Sequence, residues 1–272
     1  MVAFGIAAAK LTRTYADLGI YLDVGREWLA GGHDLCRPRP DSGPWVYPPV
    51  AAMPFALLDA CCGERGARWV YSASLGVATA LLLRALVQIM APFGGLAWWR
   101  WILFGVLFQR CIAQNLTHGQ LSLWVGALVT IGIAALQRGR DGRAGLALGA
   151  AAALKVTPIV FVLALPFFGR TRAAVATAAT AAVLVLLLPW PWCGTAEHLR
   201  HLGDFVRAAS GSVTAPETAA IVQSYAGPSI SGAFDYALQP RPLDREGHTV
   251  NVLSVGHDTL MVVKVVWSIG LL

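Results

Sequence analysis

The sequence predicts an all-α integral membrane protein, a polytopic helical bundle of about seven to eight spans or part-spans with an interfacial helix in its first outer loop. Three observations predict this class. Of the 272 residues 56% are hydrophobic and only 13% charged, with a mean hydropathy of +0.59; a soluble domain usually carries about 25% charged residues. Apolar runs at 69–90, 121–136, 145–168 and 173–189 reach or approach the ~20 residues that take a helix across a bilayer core. The arginines sit in short clusters between those runs, as orientation signals do under the positive-inside rule, so the net charge of +6 is read as membrane topology and not as nucleic-acid binding. The expected location is the cell membrane, multi-pass.

Residues 1–9 are too short to span, and 260–272 supply part of a crossing that needs about twenty residues. The chain is therefore read as one membrane domain, 1–272, cut at both ends. Residues 10–45 balance five basic against five acidic side chains, and a loop without positive excess suits the outer face. Within it Leu18, Tyr21, Leu22, Gly25, Trp28 and Leu29 recur at three- and four-residue spacing, one apolar helix face ending at Gly31-Gly32. Such a helix would lie at the interface with Trp28 at headgroup depth.

Tyr47-Pro48-Pro49 opens the next apolar run, because proline is tolerated where a helix's first turn has no partner for an N–H. A span over 50–62 is expected to lead to an inner loop at 63–68 carrying Arg65 and Arg68, and 69–90 to return. Residues 99–115 and 121–136 pair around the turn Thr117-His118-Gly119-Gln120. Two basic loops follow, Arg138, Arg140 and Arg143 in one, Arg170 and Arg172 in the other, with a single apolar run between them. That run holds Leu154-Lys155-Val156-Thr157-Pro158, a charge and a helix breaker near its middle. Either it is a re-entrant pair of half helices with Lys155 at the tip, or it crosses once and one basic loop breaks the positive-inside rule. After 173–189, the stretch 190–258 is polar, holds more acids than bases and is assigned to the outer face.

Taken in order, Asp17-Leu18-(x)2-Tyr21, Gly31-Gly32, Tyr47-Pro48-Pro49, His118-Gly119-Gln120, a basic loop and Leu154-Lys155-Val156-Thr157-Pro158 resemble glycosyltransferase family 87 of the C-type membrane superfamily. The resemblance runs over roughly 17–172. It implies a polyprenyl-phosphate sugar donor, as in bacterial α-1,2-mannosyltransferases, and a glycan or glycolipid acceptor, with mannose or a pentose transferred at the outer face and no nucleic acid as partner. In that superfamily an acidic residue early in the first outer loop stands at the catalytic centre, and Asp17 matches its position. A sugar hydroxyl is a poor nucleophile, so a carboxylate in hydrogen-bond reach must take its proton as the anomeric carbon is attacked. The donor phosphate leaves from the opposite face, giving a single inverting displacement. The plainer reading of Asp17 is a helix cap. Asp23, Asp34 and Asp41 compete with it, Asp23 from a different helix face and the other two from Gly/Pro-rich surroundings.

Lys155 is expensive inside an apolar run, and a lipid phosphate is its natural counter-charge; snorkelling to the interface or a structural carboxylate are the alternatives. Tyr21, Tyr47, His118 and Gln120 complete the expected substrate-binding set, the last two only if their turn faces the donor cavity. Two topology rules disagree on that turn: alternation of spans after Asp17 puts it inside, and an inner Arg138 loop puts it outside. His198, Arg200, His201 and Arg207 are further candidates for acceptor or phosphate contacts. Val222-Gln223-Ser224 stands where many members carry Asn-Gln-Ser. No Asp-x-Asp pair occurs, the five cysteines show no metal-ligand spacing, and neither metal nor cofactor is expected. A transporter or lipid-carrier flippase, with Asp17 and Lys155 on a permeation path, is the competing class, but the internal symmetry typical of transporters is not seen. An inactive truncated family member is the other.

Overall fold

The computed structural model describes residues 16–32, 35–36, 45, 47–95 and 97–214, and these form helices joined by short turns, with no strand among them. Inter-residue contacts divide the chain into Met1–Ala209 and Ser210–Leu272; of the second unit only 210–214, the end of a helix, is described. Asp34, Asp41 and Val222-Gln223-Ser224 lie outside the described residues.

The predicted interfacial helix forms as α1, Ala16–Leu29, and stops where Gly31 takes a φ of 70°. Its apolar face is buried as patterned, through Leu18, Tyr21 and Leu22. Trp28 is buried in the protein core, which the apolar pattern alone does not show. The reason is a close approach. A Cβ at Gly25 would stand 2.6 Å from the Ala56 backbone N, so α1 lies directly on the first turns of α2, Met53–Met90.

The expected reversal after 50–62 is present, but it is confined to Gly63, and 64–68 already form the first turn of the returning helix. After a 3-10 turn at Pro49–Ala52, α2 is two helical segments meeting at Gly63, whose φ of 64° and ψ of 170° only glycine adopts readily, and the second segment folds back so that the Tyr71 ring lies 5.1 Å from that of Phe55. Arg26 of α1 donates to Asp59 at 2.7 Å and to Glu64 at 2.9 Å, and Arg68 closes the cluster on Glu64 at 2.8 Å. The turn at Gly63 is thus tied to the C-terminal half of α1. The turn is shorter than expected because Glu64 and Arg68 pair at i,i+4 on the first turn of the returning helix.

The remaining helices are α3 (Trp98–His118), α4 (Ser122–Gln137), α5 (Asp141–Leu154), α6 (Val160–Phe167), α7 (Thr171–Ala182, continued by a π turn at Val183–Leu187) and α8 (Trp190–Thr214). α2 and α4 run parallel, since Trp124 donates to the Ser74 hydroxyl at 3.2 Å and Arg138 to the Gln88 side chain at 2.8 Å. The chain between them must therefore double back, and α3 does so. The turn at 118–120 then falls at the Ser74 end, and the 138–143 loop at the opposite one.

α5 returns antiparallel to α4, bringing Lys155 Nζ to within 3.4 Å of Ser122 Oγ. A 3-10 turn at Thr157–Ile159 and α6 go back again, and Arg170 meets Asp141 at 3.4 Å. The run therefore doubles back, as the half-helix alternative requires: α5 and α6 run antiparallel, Lys155 is at their tip, and both basic loops share one end. α7 packs parallel to α5 through glycines so tightly that a Cβ at Gly145 would sit 2.2 Å from the Ala176 Cβ and 2.8 Å from its backbone carbon. Gly145→Val is expected to cost about 1–3 kcal/mol or more by overpacking, visible as a lowered unfolding temperature in detergent. Gly19→Ala, with nothing within 4 Å of its Cβ, should leave that temperature nearly unchanged.

By length and composition one described stretch, Pro49–Phe93, is long and apolar enough to cross a membrane, and a second qualifies if Thr171–Leu187 and Trp190–Ala208, bent by 92°, count as one span. The expectation of seven to eight crossings is met only in that part. α4 and α5, with 16 and 14 residues, are about 24 and 21 Å long at 1.5 Å per residue, short of a ~30 Å hydrocarbon core.

Candidate active site

The Lys155 end gathers most of the candidates. Tyr21, one helical turn beyond Asp17 on α1, is buried among aromatic rings, with centroids 4.9 Å from Phe55, 5.6 Å from Trp45 and 5.7 Å from Tyr47. Its hydroxyl lies 3.2 Å from that of Tyr47. The two prolines after Tyr47 fix this arrangement: Pro48 is extended (φ −53°, ψ 145°) and Pro49 starts the 3-10 turn, so the Tyr47 ring turns back over α1. Lys155 reaches the other face of this group, its ammonium 5.9 Å from the Tyr47 ring centroid, a cation–π distance. Its own backbone is extended (φ −149°, ψ 125°), so the lysine stands at the break between helices and is not a rung of either.

Asp17 lies in the first turn of α1, half-exposed, where its carboxylate acts electrostatically on Lys155, Tyr21 and Tyr47 alike. Burial first, then the neighbouring Tyr47 and Asp17, pushes the Tyr21 phenol far above its ordinary value, and burial pushes that of Tyr47 up as well. Both therefore stay protonated at physiological pH and serve as hydrogen-bonding groups, not acids. Asp23 is occupied elsewhere, paired with Arg26 at 3.0 Å on the side of α1 that carries the Asp59–Glu64 cluster. Among the described residues, Asp17 is thus the carboxylate that faces the lysine and the two phenols.

His118 and Gln120 share this end but not this cluster. α3 stops at His118 because Gly119 takes the left-handed conformation (φ 67°, ψ 38°), and the Gln120 amide bonds back to the Asn115 carbonyl at 3.0 Å. His118 is exposed and Gln120 half-buried, and no hydrogen bond from either side chain reaches the four clustered residues among those described. Ser122, two residues on, makes the Lys155 contact and was not singled out in the sequence; only its place at the first turn of an apolar helix after His118-Gly119-Gln120 hints at it. α8 approaches from the same end: buried His201 lies 3.0 Å from the Gly32 carbonyl and 3.1 Å from Glu197. Arg200 and Arg207 pair within α8, with Glu197 and Asp204. No group of three His, Cys, Asp or Glu side chains able to hold a metal ion occurs among the described residues.

A family model described as glycosyltransferase family 87 matches residues 45–269, most of the chain. The chain belongs to glycosyltransferase family 87. The match takes in Tyr47, His118, Gln120 and Lys155, and it begins after Asp17 and Tyr21, whose place in the site rests on their contacts with Tyr47 and Lys155. No curated protein and no solved structure matches the chain. As a family 87 protein it is a glycosyltransferase, acting on a sugar donor and an acceptor.

Proposed function

We propose that this glycosyltransferase moves a mannose or pentose unit from a polyprenyl-phosphate donor to a glycan or glycolipid acceptor at the outer face of the cell membrane, by one inverting displacement. The observation that carries the reading is the convergence of Asp17, Tyr21, Tyr47 and Lys155 at one end of the bundle, a carboxylate and an ammonium held across two neutral phenols. Asp17 accepts the proton of the acceptor hydroxyl as its oxygen bonds to the anomeric carbon. The bond from that carbon to the phosphate oxygen breaks, and its electron pair leaves with the polyprenyl phosphate, whose added negative charge the Lys155 ammonium stabilises. The phenols orient sugar or phosphate oxygens through neutral hydrogen bonds. His118 and Gln120, in the turn at the same end, are proposed to meet the donor when it is bound.

The test is transfer by the full-length protein in membranes supplied with labelled polyprenyl-phosphate mannose, polyprenyl-phosphate pentose or nucleotide sugars. Label should pass to acceptor from a lipid-phosphate sugar with release of the lipid phosphate. Transfer from nucleotide sugars alone would overturn the donor class, because the site described holds a single cation for the phosphate.

A further inference from the structure

Far from this cluster, at the end where both basic loops meet, the chain forms a second charged cavity. It is a cleft of about 650 Å³ lined by Gly139, Arg140, Asp141, Gly142, Arg143 and Arg172. Its single carboxylate, Asp141, is turned to Arg170 at 3.4 Å, while Arg138 is held on Gln88. That leaves Arg140, Arg143 and Arg172 facing the cleft, all exposed, with no carboxylate partner among the described residues. Three exposed guanidinium groups around one cleft concentrate positive charge there, and a phosphate oxygen cluster matches their planar forks. The N-termini of α5 and α7 point into the same region and add to the positive field.

We propose that this cleft binds the phosphate of an anionic phospholipid headgroup. The inference rests on the membrane reading above. A lipid is favoured over free phosphate by what lies beside the arginines. Phe167 and Phe168, 89% and 77% exposed, end α6 and open the short turn before Arg172 of α7, and Trp98 and Trp99 are exposed at the same end of the bundle. Arg100 lies 5.2 Å over the Trp99 ring. A headgroup seated among the arginines has aromatic surface next to it for its acyl chains, and tryptophan with arginine is the composition of a membrane interface. Basic pockets between membrane helices take anionic headgroups in this way, each arginine being worth about fivefold in binding.

The full-length protein in nanodiscs tests this by native mass spectrometry of retained lipid. Phosphatidylglycerol should be retained over phosphatidylcholine, and Arg140→Gln, Arg143→Gln and Arg172→Gln together should reduce that preference by on the order of a hundredfold. Arg65→Gln, which removes one positive charge from α2 as Arg172→Gln does from the cleft, should leave it unchanged. If the triple variant fails to insert, Arg172→Gln alone should still show about a fivefold loss. Equal retention of the two lipids by the wild-type protein overturns the proposal, as does displacement of phosphatidylglycerol by millimolar inorganic phosphate, which would mark a free-anion site. Asp17→Asn should retain lipid as wild type does. A protein that binds phosphatidylglycerol selectively but transfers no sugar would refute the proposed function and leave this site standing.

Discussion

Asp17→Asn should lower sugar transfer by about 10²–10⁴-fold, the range that a positioned general base contributes, while membrane insertion and donor binding stay close to wild type. Asparagine keeps the size of the side chain and its ability to bond backbone N–H groups at the start of α1, so a residue that only supported the helix would tolerate it. What asparagine lacks is the capacity to take the acceptor's proton. The structure removes the nearest substitute, since Asp23 is paired with Arg26 on the other side of the helix. Single-turnover assays with the lipid-phosphate donor measure the effect directly. Turnover within a few-fold of wild type would take Asp17 out of the mechanism.

Lys155→Met should raise the KM for the donor by on the order of 10²-fold, the lower part of the ~2–5 kcal/mol lost when one partner of a buried, hydrogen-bonded charge pair is removed. Methionine retains the apolar stem that packs at the helix break, so the substitution isolates the ammonium. Lys155→Arg should restore part of the affinity, because it returns the charge in a bulkier form that the Ser122 and Tyr47 contacts do not fit equally well. A purely architectural lysine gives a different result: both variants would then lower expression and thermal stability together, with the KM for donor unmoved. Titration of donor against the purified variants separates the two.

Much of the local structure was legible in the sequence. The three- and four-residue spacing from Leu18 to Trp28 carried α1, Gly119 carried the turn after α3, and the Lys155-Val156-Thr157-Pro158 break carried the two half helices, because each follows from chemistry within a few residues. What was not legible depends on contacts between distant residues. Nothing near Trp28 says that Gly25 lets α1 settle onto Ala56 and draw the indole into the core. The turn after Cys62 is signalled by Gly63, but that Arg26, nearly forty positions earlier, binds Glu64 beside it is not. The choice between a re-entrant run and a single crossing turned on Arg170 meeting Asp141, a pair that a rule about charge excess does not consider. Ser122 was missed for the same reason, since its significance lies in the lysine that another helix delivers to it.

The re-entrant pair has a consequence for how the chain is threaded during synthesis. A segment that starts and finishes at the same end contributes an even step to the alternation of sides, so the orientation of α7 is inherited from α4 as if residues 141–170 were not there. Reporter fusions placed after α7 should keep their sidedness when that stretch is deleted, and reverse it when α3 is deleted instead.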